Sequence, residues 1–322
     1  MTDWRPTSGE DVARRRAALL ERARRYFSEQ DVLAVDTPAI NRFAASDPNT
    51  ESLVVQNRSG KQYFLHTSPE FFMKRLLAAG YPDIYSICRV FRDGESGRHH
   101  VPEFTMLEWY RLGFDLEAII DDTTRFIATC LGASELIDNV VRYEYADAFL
   151  EFADIDVFRA TAGELSRRCT DDKSLQVAIG EDRDAGLDLL LSTVVAPQFA
   201  RGRLTVLRHY PATQASLARI CPDDDRRADR FEVFYGEMEL ANGYVELTDA
   251  AEQQQRFDTD LQTRRRAARV DNPWDVTLLA ALESGLPDCA GVAVGLERLQ
   301  MILDKTDDIR NVLTFVPGNV DG

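Results

Sequence analysis

Two glutamates, Glu232 and Glu239, stand on either side of a Gly-Glu dipeptide that suits a two-residue hairpin turn. This turn is expected to pair Phe234 with Glu239 and Glu232 with Ala241, which places both carboxylates on one face, roughly 7–8 Å apart at Cα. Carboxylates so placed could hold Mg²⁺ together with substrate phosphates. The alternative is two exposed glutamates on a solvated face of the sheet.

Asn242 and Glu246, on the second strand of this hairpin, are the next polar candidates. Strict alternation along the strand would put both side chains on the core face. Gly243 could supply a β-bulge that turns them to the other face. The sequence leaves these two arrangements open.

Another candidate hairpin covers residues 84–111. Because successive strand residues point to opposite faces, we expect Arg92 at the end of its first strand to share a face with Phe104, Glu108 and Tyr110 of the second. A cation, an aromatic ring, a carboxylate and a phenol would then lie together. A solvated sheet edge with a structural ion pair explains the pattern equally well.

A run of small residues at 291–295 leads into a predicted helix with Arg298 in its first turn. Glycine there, Gly295 included, would let a ligand approach the backbone closely. A cation in a first turn opposes the helix dipole, so Arg298 needs another reason to be there, and its flat guanidinium could stack on a base or hold a phosphate. His99 and His100 are adjacent and point apart, which favours a phosphate contact or simple exposure over metal ligation.

Hydrophobic periodicity and turn residues predict the elements that would position these side chains. Helices are expected at 9–29, from Thr67-Ser68-Pro69-Glu70 to Gly80, across most of 115–202, at 249–268, at 274–284 and from 296 onward. Strands are expected at 32–35, 63–66, 84–92, 104–111, 204–209, 231–235, 238–247 and 290–294. Because most strands are joined by hairpins or lie far apart in sequence, we expect an α+β fold with a mainly antiparallel sheet flanked by helices.

The composition of the 322-residue chain excludes several classes of protein. Its 38 Lys and Arg against 54 Asp and Glu give a formal net charge of −16, which disfavours non-specific binding to nucleic acid or to an anionic membrane. A hydrophobic content of 44% indicates a globular core, as one large domain or at most two. No apolar stretch is long enough to span a membrane, and no signal peptide is visible.

The five cysteines are widely spaced, and no Cys-x-x-Cys pair occurs among them. This pattern argues against a disulfide framework or a zinc site. It predicts a protein of the reducing cytoplasm.

Four spaced segments resemble motifs of the class II aminoacyl-tRNA synthetases, in particular of the lysyl type. They are motif 1 at about 9–38, motif 2 at about 84–111, the lysyl-type segment at 231–249 and motif 3 at about 290–304. Motif 2 is carried by Phe91-Arg92 and by Pro-Glu-Phe-Thr-Met-Leu-Glu-Trp-Tyr at 102–110. Gly-Leu-Glu-Arg at 295–298 carries motif 3, with Glu where the family has Asp.

This resemblance implies one catalytic domain over residues 1–322 with a helical insertion at about 115–202. No anticodon-binding domain is recognisable before motif 1 or after motif 3, as in the stand-alone paralogues of lysyl-tRNA synthetase that attach (R)-β-lysine to elongation factor P. Ser68 matches the substrate loop of these paralogues, and Ala293 stands where lysyl-tRNA synthetases have Gly. A single methylene can discriminate by about 1–3 kcal/mol, so such residues could favour an amino group on the β carbon.

The resemblance also implies a role for each matching residue. Catalysis would depend on Arg92 and Arg298. ATP would contact Arg92, Asp93, Gly94, His100, Val101, Phe104, Glu239, Leu240, Gly295 and Arg298. The amino acid would contact Ser68, Pro69, Glu70, Glu108, Tyr110, Asn242, Glu246 and Ala293. Mg²⁺ would be held by Glu232 and Glu239.

Within motif 2, the loop departs from the family pattern. Gly94 and Val101 stand where the family usually has Glu and Asn, and Glu95 follows one residue later. Phe104 and Arg298 would still enclose the adenine ring, as the resemblance implies.

The implied reaction has two steps and needs no enzyme nucleophile. The carboxylate of (R)-β-lysine, or of lysine, attacks the α-phosphate of ATP, and a lysine side chain of elongation factor P then attacks the adenylate. Charging of tRNA with lysine is one alternative, against which the missing anticodon domain and the net charge of −16 both argue. A non-catalytic, synthetase-like regulatory dimer is another. The resemblance implies a cytoplasmic homodimer without a membrane partner.

Overall fold

The computed structural model describes residues 4–169, 180, 182–266, 269 and 274–316. The chain divides into two compact units. The first unit comprises Met1–Gly113, Thr129–Gly132 and Thr248–Gly322, and the second comprises Phe114–Ala128 and Ala133–Leu247. The three synthetase-like motifs therefore lie in the first unit, and most of the predicted helical insertion lies in the second.

The helices lie close to the positions that the periodicity predicts. In chain order they are α1 Glu10–Ser28, α2 Glu70–Ala78, α3 Leu116–Leu131, α4 Glu135–Asp138, α5 Tyr145–Ala153, α6 Ala162–Cys169, α7 Arg183–Leu190, α8 Ala250–Arg266, α9 Val276–Gly285 and α10 Leu296–Leu303. A π-helical turn, Leu191–Val195, continues α7, and short 3-10 turns lie at Ala196–Gln198, Ala212–Gln214 and Ile309–Val312. Gly80, predicted to end α2, has a φ of +88°.

The strands pair mainly antiparallel, as predicted. In chain order they are β1 Leu33–Ala34, β2 Ile40–Asn41, β3 Val54–Gln56, β4 Gln62–Leu65, β5 Ile84–Phe91, β6 Glu103–Leu112, β7 Val141–Glu144, β8 Leu204–Arg208, β9 Arg230–Tyr235, β10 Met238–Val245 and β11 Cys289–Gly295. In the first unit, β6 pairs antiparallel with both β5 and β11, β1 pairs parallel with β5, and β4 pairs antiparallel with β2 and β3. In the second unit, β9 pairs antiparallel with both β8 and β10.

Helix α1 buries an apolar stripe in the first unit. Leu19, Ala23 and Phe27 recur at helical spacing, and all three are fully buried. The ring of Phe27 stacks on Tyr85 of β5 with 4.5 Å between centroids and lies 5.2 Å from Trp109 of β6. These contacts anchor the β5–β6 hairpin, which carries motif 2.

The core of the second unit is aromatic. Tyr145 of α5 stacks on Phe149 at 4.4 Å and contacts Tyr210 at 4.5 Å, while Phe199 meets Phe234 of β9 at 5.2 Å. The apolar side chains of α7 complete this buried cluster. Phe234 therefore holds β9 against this core, on the face that it shares by alternation with Arg230 and Glu232.

Strand β7 was missed by the prediction that residues 115–202 are mostly helical. This four-residue strand pairs parallel with β8. Four residues between helical segments are too few to show a period of two, so the surrounding helical pattern dominated the prediction. None of the described helices combines the length and the apolar character that a membrane span requires.

Candidate active site

The carboxylate of Glu108 on β6 is buried and held at both oxygens. Ser68 Oγ donates to Glu108 Oε2 at 2.7 Å, and the Tyr110 hydroxyl donates to Glu108 Oε1 at 2.7 Å. The side chain is only 3% exposed. The register of β11 places Ala293 directly opposite Glu108. The structure therefore brings together four of the residues predicted to contact the amino acid.

A second carboxylate, Glu70, lies at the start of α2. Lys74 Nζ, on a side chain that is 1% exposed, donates to Glu70 Oε1 at 2.7 Å. Ser68 Oγ accepts a hydrogen bond from the Glu70 backbone N–H at 3.0 Å, although the N-cap residue of α2 is Pro69 and not the hydroxyl residue that the sequence favours there. Pro69 is the residue that precedes the helix and is buried. Ser68 thus ties Glu70 and Glu108 to one hydroxyl.

Arg92 follows β5 and shares a face with Phe104, as the strand alternation predicts. Its guanidinium carbon lies 5.1 Å from the centre of the Phe104 ring, and its Nη1 is 3.4 Å from Glu95 Oε1. Within the described part of the chain, the buried Nε of Arg92 has no hydrogen-bond partner. A buried donor with no acceptor is costly, which indicates that Arg92 is arranged to receive an anion.

The loop after Arg92 exposes some of the predicted nucleotide contacts and buries another. Asp93 and Gly94 are exposed, and Gly94 has a φ of +76°. Val101 is 4% exposed, so its side chain packs inside the first unit. His100 is exposed, and its Nε2 lies 2.8 Å from Arg298 Nη2.

Helix α10 places Arg298 beside this loop. Gly295 ends β11 and immediately precedes α10. The next acidic residue, Glu297, is 2% exposed and accepts hydrogen bonds from the Thr105 backbone N–H at 2.9 Å and from Arg16 at 2.7 Å. Glu297 therefore fixes the first turn of α10 against motif 1 and motif 2, and leaves Arg298 to face the loop.

The β9–β10 hairpin of the second unit contains a β-bulge at Leu240. Glu239 pairs with Phe234, as predicted, but the register then shifts and Glu232 pairs with Asn242 instead of Ala241. Of the two arrangements that the sequence left open, the bulged one is present, but the bulge lies at Leu240, and Gly243 pairs regularly with Phe231. The extra residue turns Asn242 to the face of Glu232.

The same bulge determines which face of the sheet the side chains after Leu240 point to. Leu240 itself is 1% exposed. Glu246 follows Asn242 by four residues, which keeps it on the same face, and it is 3% exposed in a bridge with Ala218. Strict alternation from the turn had put Asn242 and Glu246 on the core face.

Of the two glutamates predicted to bind a metal, Glu232 is buried and Glu239 is half-buried. Glu232 is 8% exposed, and Arg230 Nη2 donates to its Oε1 at 2.7 Å. Burial, followed by the negative charge of Glu239, raises the pKa of Glu232 to about 7. Two carboxylates that repel each other in this way suit an added cation, and oxygen ligands are those that Mg²⁺ prefers.

Sequence spacing did not predict a cluster of His209, Cys221 and Asp229, whose potential ligand atoms lie within 4.8 Å of one another. Cys221 Sγ donates to Asp229 at 3.0 Å, Arg219 donates to Asp229 at 2.8 Å, and His209 Nδ1 lies 2.7 Å from a carboxylate oxygen of Glu144. Burial, with the hydrogen bond to Asp229, raises the pKa of Cys221 to about 12. The cluster therefore holds a thiol whose neighbour Asp229 already pairs with arginine, while His209 pairs with Glu144.

Comparisons with known proteins show which family the chain belongs to. Residues 1–318 match the family described as tRNA synthetases class II (D, K and N). The elongation factor P–(R)-β-lysine ligase of Klebsiella pneumoniae (strain 342) is 42% identical over 97% of both chains. The proteins of the same name from Edwardsiella ictaluri (strain 93-146) and Salmonella typhi are each 41% identical, over 98% and 97% of both chains. The chain therefore belongs to the class II tRNA synthetase family, in the branch of the elongation factor P–(R)-β-lysine ligases.

Proposed function

We propose that this chain is an ATP-dependent ligase that activates (R)-β-lysine, or lysine, as an adenylate and transfers it to a lysine side chain of elongation factor P. The observation that carries the proposal is the buried Glu108 carboxylate, fixed by Ser68 and Tyr110. The name and matching length of the relatives support the same reaction. These relatives do not favour charging of tRNA or a purely regulatory dimer.

Substrate charge explains why carboxylates are held in the first unit. A diamino acid brings two ammonium groups, and a desolvated ammonium needs a paired negative charge. Glu108 and Glu70 each have oxygens fixed by hydrogen bonds from the protein, so neither must reorganise when the ligand arrives. Ala293, opposite Glu108, adds a methyl group that we propose selects the position of the amino group.

We assign the nucleotide to the cationic part of the first unit. Arg92 would receive the α-phosphate and the substrate carboxylate through its buried Nε and terminal nitrogens. Phe104 offers a ring face for the adenine, and Arg298 a flat cation beside His100. Asp93, Gly94 and Gly295 would border the nucleotide through the backbone.

The residues of the second unit would serve the metal and the carboxylate of the substrate. Glu232 and Glu239 fit Mg²⁺, which would neutralise phosphate charge when bound. Asn242 Oδ1 accepts from Arg230 at 3.2 Å and Nδ2 donates to the Tyr244 hydroxyl at 3.2 Å, so the amide has its second N–H to offer. An NH₂ donor suits a carboxylate, and we therefore place Asn242 at the substrate carboxylate and leave Glu246 for an ammonium group.

Positioning and charge neutralisation account for the chemistry. In the first step, a substrate carboxylate oxygen bonds to the α-phosphorus and the bond to pyrophosphate breaks. Arg92 stabilises the charge on the phosphoryl oxygens in the transition state. In the second step, the acceptor amine attacks the adenylate carbonyl, loses a proton, and AMP leaves. Burial and the charge of Glu108 raise the pKa of Cys88 to about 12, so this nearby thiol is no nucleophile.

The test is ATP–pyrophosphate exchange with Glu108→Gln. Glutamine keeps the size but removes the charge that would pair with ammonium, so KM for (R)-β-lysine should rise on the order of 100-fold while KM for ATP changes little. Glu103→Gln is the matched control, because Glu103 is a half-exposed glutamate on the same strand. Unchanged amino-acid KM in Glu108→Gln would contradict the proposed pocket.

A further inference from the structure

Arg230, at the start of β9, uses all three guanidinium nitrogens inside the second unit. Nη2 donates to Glu232 Oε1 at 2.7 Å, Nη1 donates to the Gln214 carbonyl at 2.7 Å, and Nε donates to Asn242 Oδ1 at 3.2 Å. The guanidinium carbon lies 4.4 Å from the centre of the Tyr210 ring, which covers one face. The side chain is 17% exposed, so this arrangement is largely shielded from solvent.

The bulge at Leu240 makes the arrangement possible. It sets Asn242 opposite Glu232 and Tyr244 opposite Arg230, so that the four polar side chains share one face of the hairpin. With the regular register, Ala241 would lie opposite Glu232, and Arg230 would have no amide to bind. The bulge therefore brings Glu232 and Asn242 together, and Arg230 binds both of them.

Each hydrogen bond from Arg230 fixes what its partner can offer to a ligand. One oxygen of Glu232 is occupied, which leaves Oε2 for a cation. The carbonyl oxygen of Asn242 is occupied and its Nδ2 donates to the Tyr244 hydroxyl at 3.2 Å, which leaves the second N–H of the amide as a donor. A planar fork can hold both at once, whereas a lysine ammonium is a point charge on a flexible stem.

We propose that Arg230 is a positioning residue that holds Glu232 ready for Mg²⁺ and Asn242 ready for the carboxylate of the amino acid. The inference rests on the proposed function for the identity of the two ligands. If Arg230 had only a structural role, breaking its buried ion pair would lower the stability of the protein. It would not weaken the binding of Mg²⁺ and of the amino acid while leaving the KM for ATP nearly unchanged. A positioning role and a purely structural role therefore predict different ligand affinities for an Arg230 variant that still folds.

The experiment compares Arg230→Gln and Arg230→Lys with the wild-type chain. Mn²⁺ binding is followed by electron paramagnetic resonance in the presence of a non-hydrolysable ATP analogue. KM values for (R)-β-lysine and ATP are measured by pyrophosphate exchange, and thermal unfolding is recorded for each variant. Arg219→Gln is the matched control, because Arg219 also pairs with a buried aspartate of the second unit but contacts neither Glu232 nor Asn242.

Arg230→Gln should weaken Mn²⁺ binding and raise the KM for (R)-β-lysine, each by about 10–100-fold, which is typical when a residue supporting a metal ligand is lost. KM for ATP, measured at a Mg²⁺ concentration that saturates each variant, should change much less, and Arg219→Gln should bind Mn²⁺ like the wild type. Arg230→Lys keeps the charge and should recover only part of the loss. If Arg230→Gln does not fold, Arg230→Lys carries the test.

A folded Arg230 variant with wild-type Mn²⁺ binding and amino-acid KM would overturn the assignment, as would an equal defect in Arg219→Gln. Failure of the proposed function has a different signature. A wild-type chain that supports exchange with neither lysine isomer contradicts the proposed substrate, while Mn²⁺ binding needs no turnover and still reports on Arg230.

Discussion

Ser68 shows how one hydroxyl can organise a charged pocket. It donates to the carboxylate of Glu108 and accepts from the backbone N–H of Glu70, so a single Oγ fixes one carboxylate and the backbone that carries another. The buried ammonium of Lys74 pairs with the negative charge of the Glu70 carboxylate. The first unit thus keeps negative charge in place without neutralising all of it, which is the requirement for binding a cationic amino acid.

Ala293→Gly tests substrate selection at the residue scale. Removing the methyl group opposite Glu108 should lower the preference for (R)-β-lysine over lysine by about tenfold, since one methylene is worth about 1–3 kcal/mol. The measurement is the ratio of kcat/KM for the two isomers in pyrophosphate exchange. Ala290→Gly, on the same strand but opposite Arg111, is the control and should leave the ratio unchanged. An unchanged ratio in Ala293→Gly would show that Ala293 does not help to select (R)-β-lysine over lysine.

At the scale of the element, the β9–β10 hairpin shows what the sequence could and could not predict. The Gly-Glu turn and the pairing of Glu239 with Phe234 followed from turn chemistry. The bulge at Leu240 did not, because a register shift is a property of the paired backbones, and a leucine gives no local signal for it. Gly243 was considered as the site of a bulge only because glycine within a strand often marks one.

Arg264 on α8 shows a similar limit. A run of three arginines indicates a solvated helix face, yet Arg264 is fully buried. It donates to Glu51 Oε2 at 2.6 Å and to the Asp47 carbonyl at 3.1 Å. Its acceptors lie more than 200 residues away in sequence, so only the folded chain reveals that this arginine is structural.

Asp260, on the same helix, yields a pH-dependent prediction. Burial outweighs the hydrogen bond from Ser46 and raises the pKa of Asp260 from 3.8 to about 6. The folded chain therefore binds this proton more tightly than the unfolded chain, and the free energy of unfolding falls as pH rises from about 4 to about 6. Asp260→Asn removes the charge and keeps an acceptor for Ser46.

This variant should raise the free energy of unfolding by about 1–2 kcal/mol at about pH 7.5, with little gain at about pH 4. Urea unfolding at both pH values measures the difference. The exposed Asp258 of α8 provides the control, and Asp258→Asn should show no such pH dependence. A gain of equal size at both pH values, or a loss at about pH 7.5, would refute the assignment of the pKa.

At the scale of the whole molecule, the net charge of −16 gains a partial explanation. Glu70, Glu108, Glu232, Glu239 and Glu246 belong to the proposed substrate and metal positions. The excess of acidic residues disfavours a nucleic-acid acceptor, because phosphate backbones are bound through basic surfaces. A protein acceptor agrees with this charge and with the names of the relatives.

The fold class was predictable from hydrophobic periodicity and turn residues, and the motifs were recognisable by resemblance because each is a short run of the sequence. The division into two compact units and the hydrogen bonds of Arg230 depend on contacts between distant segments. Such contacts are specified by packing, which a single sequence does not display.

The most direct test of the central proposal is the intact mass of elongation factor P after incubation with this chain, ATP and either (R)-β-lysine or lysine. The account predicts an ATP-dependent gain of one lysyl group on the acceptor, larger with (R)-β-lysine and strongly reduced with Glu108→Gln when the amino acid is kept near the wild-type KM. No mass gain with either isomer, together with charging of tRNA by lysine under the same conditions, would contradict it.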